Sequence, residues 1–225
     1  MQVEIMHRTI GTIAKVHLVQ GETIKVEPSA MVGMTTELQF QTGMQGGFLK
    51  SFGRLFSGEN FFQNTYTAQA PDQHVLLGQS LPGDITTLEV PQTGLGIQSS
   101  SYIAADDGVT VATTVGGLKK LFSGEGLFQL TATADGPGRQ VVVGSFGGIQ
   151  EIEVNGEFIV DSGHLVAWDK TLNINPVKAS SGGWILSFLS GEGIVIQLTG
   201  TGRVWIQSRT PGGFGRHIGP KLPPR

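Results

Sequence analysis

The chain has 225 residues, of which 39% are hydrophobic and 15% are charged, and its formal net charge at pH 7 is −3. It contains no cysteine, which excludes disulfides, thiolate nucleophiles and cysteine-ligated zinc. The low charge, with 34 glycines and 10 prolines, is typical of many short strands joined by tight turns and of surfaces buried against further copies of the chain.

The N-terminal segment, Met1–Arg8, has no basic stretch followed by an apolar run, and it is not rich in arginine. It therefore resembles neither a secretory signal nor a mitochondrial transit peptide. No apolar run has the length of about 18 residues that a membrane-spanning helix needs. From these observations the sequence predicts a cytoplasmic protein.

Apolar and polar residues alternate with the period of a β-strand along most of the chain, for example over Ile149–Val154. Turn sequences separate the alternating runs, as at Asp106–Gly108 and Asp135–Gly138. Asn155-Gly156 is the strongest turn signal, because both residues tolerate the positive φ angles of a type I′ hairpin. No amphipathic helix longer than about two turns is indicated. The sequence therefore predicts an all-β fold.

The tripeptide Ser-Gly-Glu occurs three times, at intervals of 66 and 67 residues. A Gly-Gly pair precedes each copy, and a strand-like alternating run follows it. A second apolar run then comes at a matching distance, at Val75–Leu77, Val141–Val143 and Val204–Ile206. Self-similarity at a fixed period indicates a fold assembled from copies of one unit.

We therefore predict a single compact domain over residues 1–208, built from three tandem pseudo-symmetric repeats at about 16–79, 94–145 and 157–208. Each repeat is expected to be a β-sandwich or a unit like a double-stranded β-helix. The three are expected to form one body, since a β unit of this size is marginal alone. Residues 209–225 form a basic tail rich in proline and glycine. That composition predicts an extended or disordered segment without regular strands.

The stretch from Gly116 to Phe128, with its two counterparts around the other Ser-Gly-Glu copies, resembles the altered-inheritance-of-mitochondria 24 family, also called mitochondrial biogenesis proteins. The resemblance covers most of residues 1–208. It implies an all-β fold akin to the tryptophan RNA-binding attenuation protein, with three related units per chain and assembly into trimers. The eukaryotic members are linked to the organisation of the inner mitochondrial membrane. No catalytic residues are established in the family.

The repeated tripeptides supply the candidate binding residues, which are Gly58, Glu59, Gly124, Glu125, Gly191 and Glu192. Three equivalent carboxylates on a pseudo-threefold axis would suit a cation or a polar ligand. The favoured interpretation is structural: each glutamate caps backbone N–H groups in a tight turn, where the glycine supplies a positive φ angle.

The sequence contains no recognisable catalytic motif. The Gly-Gly pairs lack the spacing of a phosphate-binding loop, and the histidines lack the spacing of a metal site. Asp161–His164 contains the residue types of a hydrolytic site, but no nucleophile elbow accompanies it, so we interpret it as a turn before the strand Leu165–Trp168. We expect no enzyme activity, no cofactor and no bound metal.

These observations favour a non-catalytic oligomeric β scaffold, a trimer being favoured, which presents a surface to protein or membrane-associated partners. The alternative is a module that binds a small molecule or RNA, as the tryptophan RNA-binding attenuation protein does. Nucleic acid is the less favoured ligand, because residues 1–192 are acidic overall and lack basic residues interleaved with aromatic stacking platforms.

Overall fold

The computed structural model describes residues 1–44, 62–113, 129–177 and 195–223. Within these ranges the regular structure is nearly all antiparallel β-sheet, which confirms the predicted fold class. The strands are β1 (Gln2–Met6), β2 (Ile13–Leu18), β3 (Thr23–Val26), β4 (Met31–Met34), β5 (Leu38–Met44), β6 (Phe62–Ala68), β7 (Gln73–Leu77), β8 (Ile85–Glu89), β9 (Leu95–Gln98), β10 (Tyr102–Asp106), β11 (Val109–Thr113), β12 (Gln129–Ala134), β13 (Gln140–Gly144), β14 (Ile149–Asp161), β15 (Leu165–Asp169), β16 (Asn173–Val177) and β17 (Val195–Gln207).

One order of strand pairing occurs in three successive stretches of the chain, which we call units. The first unit is β2–β7, the second is β8–β13 and the third is β14–β17. In each unit the sixth strand lies between the first and the third, and the fifth lies between the second and the fourth. In the third unit, β14 serves as first and second strand and β17 as fifth and sixth.

The third strand of every unit carries a bulge at the same place. In β4, β10 and β15 the register against the sixth strand shifts after the first residue, so that one residue has no direct partner on that strand. That residue is Val32 in the first unit, Ile103 in the second and Val166 in the third. The bulge therefore aligns the three units residue by residue.

A polar side chain at the end of each third strand fixes it to the sixth strand. Thr35 Oγ1, Asp106 Oδ2 and Asp169 Oδ2 accept hydrogen bonds of 3.1, 2.6 and 2.9 Å from the backbone N–H groups of His74, Gln140 and Arg203. Asp169 also receives a hydrogen bond of 3.2 Å from Arg203 Nε, which raises the pKa of the guanidinium.

Successive units are joined edge to edge by one kind of contact, which we call the joint. The third strand of one unit pairs with the second strand of the unit before it, as β10 pairs with β3 and β15 with β9. Each joint merges two three-stranded halves into one continuous sheet. The sheets therefore run from unit to unit without an interruption.

Three clusters of buried apolar residues lie between the layers of strands. The first core takes residues from the first unit and also Ile85, Ile103, Ala104 and Val142 of the second. The second core likewise takes Val166, Ala167 and Trp205 from the third unit. The buried residues of the third core all belong to the third unit itself. Each of the first two cores is thus completed by the unit that follows it.

The predicted turn at Asn155-Gly156 is wrong. β14 runs unbroken through both residues and pairs with β17 along its whole length. Gly156 lies opposite Gly200, and both have positive φ angles, of 112° and 121°. Two facing glycines let both strands bend together, so the chain changes direction without a hairpin.

The prediction of an extended or disordered tail is also wrong for most of that segment. Pro211–Ile218 forms a helix, α1, and a 3-10 turn over Gly219–Lys221 follows it. Thr210 caps the helix by accepting a hydrogen bond of 3.0 Å from the Gly213 N–H, and Pro211 supplies a helical φ angle in the first turn. Capping outweighed the low helix propensity of the glycines. Among the described residues, no helix is long and apolar enough to cross a membrane.

Candidate functional site

The predicted binding residues cannot be placed. Gly58, Glu59, Gly124, Glu125, Gly191 and Glu192 all lie outside the described residues, as do the Gly-Gly pairs. The two interpretations of the Ser-Gly-Glu turns, a ligand site and a structural cap, therefore stay predictions.

The segment Asp161–His164 forms the turn that we predicted from its sequence. Ser162–His164 is a 3-10 turn that leads directly into β15. Asp161 Oδ1 accepts a hydrogen bond of 2.8 Å from the Gly163 N–H, and His164 Nδ1 donates to the Gln207 carbonyl oxygen at 2.6 Å. Both side chains thus hold the local backbone. Over the ranges that the structure describes, no three histidine, aspartate or glutamate side chains are grouped to hold a metal ion.

A cavity of about 280 Å³ is lined mainly by connections within and between the units, together with Gln207 of β17 and Pro211 of α1. Polar side chains make up much of its lining, namely Glu27, Ser29, Gln79, Ser80, Ser99, Ser100, Ser145 and Gln207. Tyr102 contributes to its inner wall, donates to the Lys25 carbonyl oxygen at 3.3 Å and accepts from Gln63 Nε2. Burial raises the pKa of the Tyr102 hydroxyl, so this group stays neutral and can act as a hydrogen-bond donor.

The first unit exposes an apolar surface whose equivalents in the second and third units are buried. We call it the open face, and it consists of Ile13, Val32 and Leu76, on the first, third and sixth strands of that unit. Val32 is 60% exposed, while Ile13 and Leu76 are half-buried. Met31 and Met34 lie on the other face of the same strand, because they pair with Leu77 and Val75 of the first core. The open face is thus an apolar patch next to a strand edge.

The residues equivalent to the open face lie inside a core elsewhere. In the second unit they are Ile85, Ile103 and Val142, which are 0%, 2% and 0% exposed and belong to the first core. In the third unit they are Ile149, Val166 and Trp205; the last two are buried in the second core, and Ile149 packs against it. The first unit has the same apolar positions, but among the described residues no other unit covers them.

The strand edge beside the open face is also unpaired. Within the described ranges, β4 pairs with β7 along one edge, and no strand pairs with its other edge. β4 has the sequence Met-Val-Gly-Met, which contains neither a charge nor a proline. Natural edge strands are commonly protected by lysine, proline or a covering segment. β4 lacks the first two, as a strand that pairs with a partner would.

A matching edge is open at the other end of the chain. The second half of β14 occupies the position of β3 and β9, each of which pairs with the third strand of the next unit. Phe158 there is only half-buried, whereas its equivalents Ile24 and Leu95 are both 0% exposed. The third unit therefore has a second strand on whose free edge, among the described residues, no third strand pairs.

Basic groups border the open face. Lys15, His17 and His74 lie on the outer side of β2 and β7, and the two imidazole rings are 6.3 Å apart. Partial desolvation, together with the charges of Lys15 and His17, lowers the pKa of His74.

Our interpretation of the sequence missed the open face, although a signal for it was present. The third strands share a pattern of two apolar residues, one small residue, one further apolar or small residue, and one polar residue. This pattern reads Met31–Thr35, Tyr102–Asp106 and Leu165–Asp169. Because this pattern is apolar in all three units, it indicates that every third strand, including β4 of the first unit, is suited to burial.

Three comparisons place the chain among known proteins. The family model described as Mitochondrial biogenesis AIM24 matches residues 3–209. An uncharacterized protein of Streptococcus pyogenes serotype M6 is 27% identical over 206 residues, which are 87% of this chain and 81% of that protein. The crystal structure of a protein from Streptococcus pyogenes has a TM-score of 0.79 at 23% identity, and the match covers 98% of this chain and 99% of that one. The resemblance drawn from the Ser-Gly-Glu blocks is thereby confirmed, and the chain belongs to the Mitochondrial biogenesis AIM24 family.

Proposed function

We propose that this protein is a non-catalytic oligomeric β scaffold, which presents a surface to protein or membrane-associated partners in the cytoplasm. A homotrimer is the favoured assembly. The proposal assigns the protein no reaction, and it makes self-association the property on which its role depends.

The open face is the observation that carries this proposal. Monomeric proteins bury most of their large apolar side chains, and a contiguous exposed apolar patch beside an unpaired strand usually marks an interaction site. Val32, at 60% exposure, is the extreme case among the residues of the open face. An oligomer removes this surface from water.

The low overall charge supports the same proposal. Only 15% of the residues are charged, so much of the surface has little hydration to lose when it is covered. The helix α1 adds a second feature, because its exposed Phe214 adjoins the basic residues Arg216 and His217. A short basic amphipathic helix suits contact with an anionic partner or membrane surface.

Native mass spectrometry of the purified protein over a range of concentrations tests this proposal. We expect an oligomer, with the trimer dominant at micromolar concentration. A protein that remains a single chain up to about 100 µM would contradict the scaffold proposal, because an obligatory interface of standard size gives much tighter association.

The cavity favours the second candidate, a module that binds a small molecule. Its volume of about 280 Å³ and its serine-rich lining suit a small polar ligand with several hydroxyl or carbonyl groups. The same mass spectra distinguish the candidates, since a ligand retained from the cell appears as a constant added mass per chain. Replacing Ser80 with Leu, at the rim of the cavity, is expected to remove that mass without changing the oligomer.

A further inference from the structure

We infer that the chains assemble head to tail by repeating the joint that already links the units, with β4 of one copy pairing with the second half of β14 in the next copy. This inference rests on the proposed oligomeric scaffold and names its interface. The occupant of the open face is thus a second copy of this chain.

The first argument is that the chain makes this joint twice within itself. Both internal joints use the third strand of one unit and the second strand of the unit before it, in the same antiparallel register. Each chain has one third strand, β4, and one second-strand segment, in β14, that enter no joint among the described residues. These two unpaired strand edges are of the two kinds that pair in both internal joints.

The internal joints also determine the register of the proposed one. Ala104 pairs with Val26 in the first joint, and Ala167 pairs with Ile97 in the second. Because the bulge aligns the third strands, the equivalent of Ala104 and Ala167 is Gly33.

The partner positions follow from the turns that precede the third strands. Gln98 and Asp161 each stand immediately before a three-residue 3-10 turn, and a third strand begins at the residue after that turn. This makes Val160 the equivalent of Ile97. We therefore expect Gly33 to face Val160, and Met34 to face Ile159, across the interface.

The second argument comes from the cores. The following unit inserts Ile103 into the first core and Val166 into the second. In the part of the chain that the structure describes, no other unit contributes to the third core, and its border residues Ile152, Phe158, Ile174 and Ile206 are only partly buried. Val32 is the equivalent of Ile103 and Val166, so docking would insert Val32 into the third core of the next chain. One contact thus covers both apolar surfaces.

Such an interface is heterologous, since it brings together two different surfaces of the same chain. A heterologous contact generates a closed ring if the rotation from chain to chain divides a full turn, and a filament if it does not. The proposed trimer is a ring of this kind, in which every β4 and every β14 edge is paired.

Engineered cysteines test the register directly, because the chain has no cysteine of its own. The double variant Met34→Cys with Ile159→Cys is expected to form disulfides between chains on mild oxidation, since directly opposed residues have Cβ atoms about 4.5–5.5 Å apart. The matched control, Met34→Cys with Glu157→Cys, places the second cysteine two residues along the same strand and is expected to cross-link at least tenfold less. Reducing and non-reducing denaturing gels measure the fraction of linked chains.

A pair of charge substitutions tests the apolar part of the interface. Val32→Asp places a charge on the open face and is expected to convert the oligomer to single chains at micromolar concentration. Val19→Asp is the control, because Val19 is 68% exposed, belongs to the same unit and lies in the turn after β2, at the far end of that strand from Ile13. We expect it to keep the wild-type oligomer. Circular dichroism and thermal unfolding confirm that both variants are folded.

The outcomes separate this inference from the proposed function. An oligomer that survives Val32→Asp, and that gives no cross-link between chains in the first cysteine pair, overturns the head-to-tail joint but leaves the scaffold standing. A cross-link that keeps the mass of one chain also overturns it, because β4 then pairs with β14 of the same copy. A wild-type protein that is a single chain at all concentrations overturns both.

Discussion

Ile103 and Val32 occupy the same position in two copies of one strand, yet Ile103 is 2% exposed and Val32 is 60% exposed. Both sit at the bulge of a third strand, and both strands pair with the sixth strand of their own unit. Ile103 differs because the first unit precedes it in the chain and supplies a core for it to enter. The environment of a repeated residue therefore depends on the place of its unit in the series as well as on the repeat itself.

The largest expected difference is in the free energy of unfolding when Ile103 or Val32 is replaced by aspartate. Ile103→Asp buries an unpaired carboxylate in the first core and is expected to lower the free energy of unfolding by about 4 kcal/mol or more. Val32→Asp in the isolated chain is expected to cost about 1 kcal/mol or less, since its side chain remains in water. Urea unfolding measures both, at a concentration where the protein is a single chain, because assembly adds its own stability. Equal losses would mean that Val32 is covered within its own chain.

Replacing a glycine with alanine tests a paired joint, at Gly96, against the unpaired edge of β4, at Gly33. A Cβ at Gly96, in the joint between β9 and β15, would lie 2.1 Å from Trp168 Cε2, so Gly96→Ala is expected to cost about 1–3 kcal/mol. A Cβ at Gly33, in β4, would meet Leu76 Cδ1 at 3.9 Å, which is an ordinary contact. Gly33→Ala restores the alanine of the other two units and is expected to stabilise the chain by about 0.5–1 kcal/mol. Thermal unfolding checks both, and a destabilised Gly33→Ala would contradict the equivalence of these positions.

The hydrogen bond that the sixth strand donates to the polar side chain at the end of the third strand is expected to differ in strength between the units. Asp169→Ala removes a carboxylate that accepts three hydrogen bonds from Arg203, and we expect a loss of about 1.5–3 kcal/mol. Thr35→Ala removes a neutral acceptor for the His74 N–H, with an expected loss of about 0.5–1.5 kcal/mol. Chemical unfolding of the two variants ranks them. A larger loss for Thr35→Ala than for Asp169→Ala would show that the charge of Asp169 adds nothing to this contact.

The smallest expected effect is a pH dependence confined to the border of the open face. The pKa of His74 is lowered in the folded state, so the unfolded chain binds its proton more readily. The stabilisation linked to this group is present above the unfolded pKa of about 6.5 and is lost as the pH falls through the lowered folded value. His74→Gln is expected to flatten the decline in stability between about pH 7 and pH 5. An unchanged pH profile in that variant would assign the decline to other groups.

The sequence was sufficient for the fold class and the family, and insufficient for two local features. Alternation predicted strands correctly, since a period of two is what a half-buried strand requires. Asn155-Gly156 has the chemistry of a turn, but pairing with β17 on both sides of it kept β14 continuous. The tail has a composition that disfavours regular structure, and the capping contact of Thr210 still starts a helix there. In both cases a specific contact overrode the local preference.

The candidate site was predictable only in part. The apolar residues of the third strands can be recognised in the sequence, and their repetition indicates that each of these strands is suited to burial. The sequence does not state which strand lies beside which, because strand neighbours are chosen by contacts between residues distant along the chain. For that reason the exposure of Val32 and the half-burial of Phe158 did not follow from any pattern.

The sequence by itself determined an all-β chain, its membership of the family and the spacing of its Ser-Gly-Glu blocks, since these depend on residue types and on intervals along one dimension. The tertiary structure decided which copies of the repeated strand are covered. That outcome depends on the place of each unit among the three: within the described residues no other unit covers the apolar face of the first unit, and no other unit contributes buried residues to the third core.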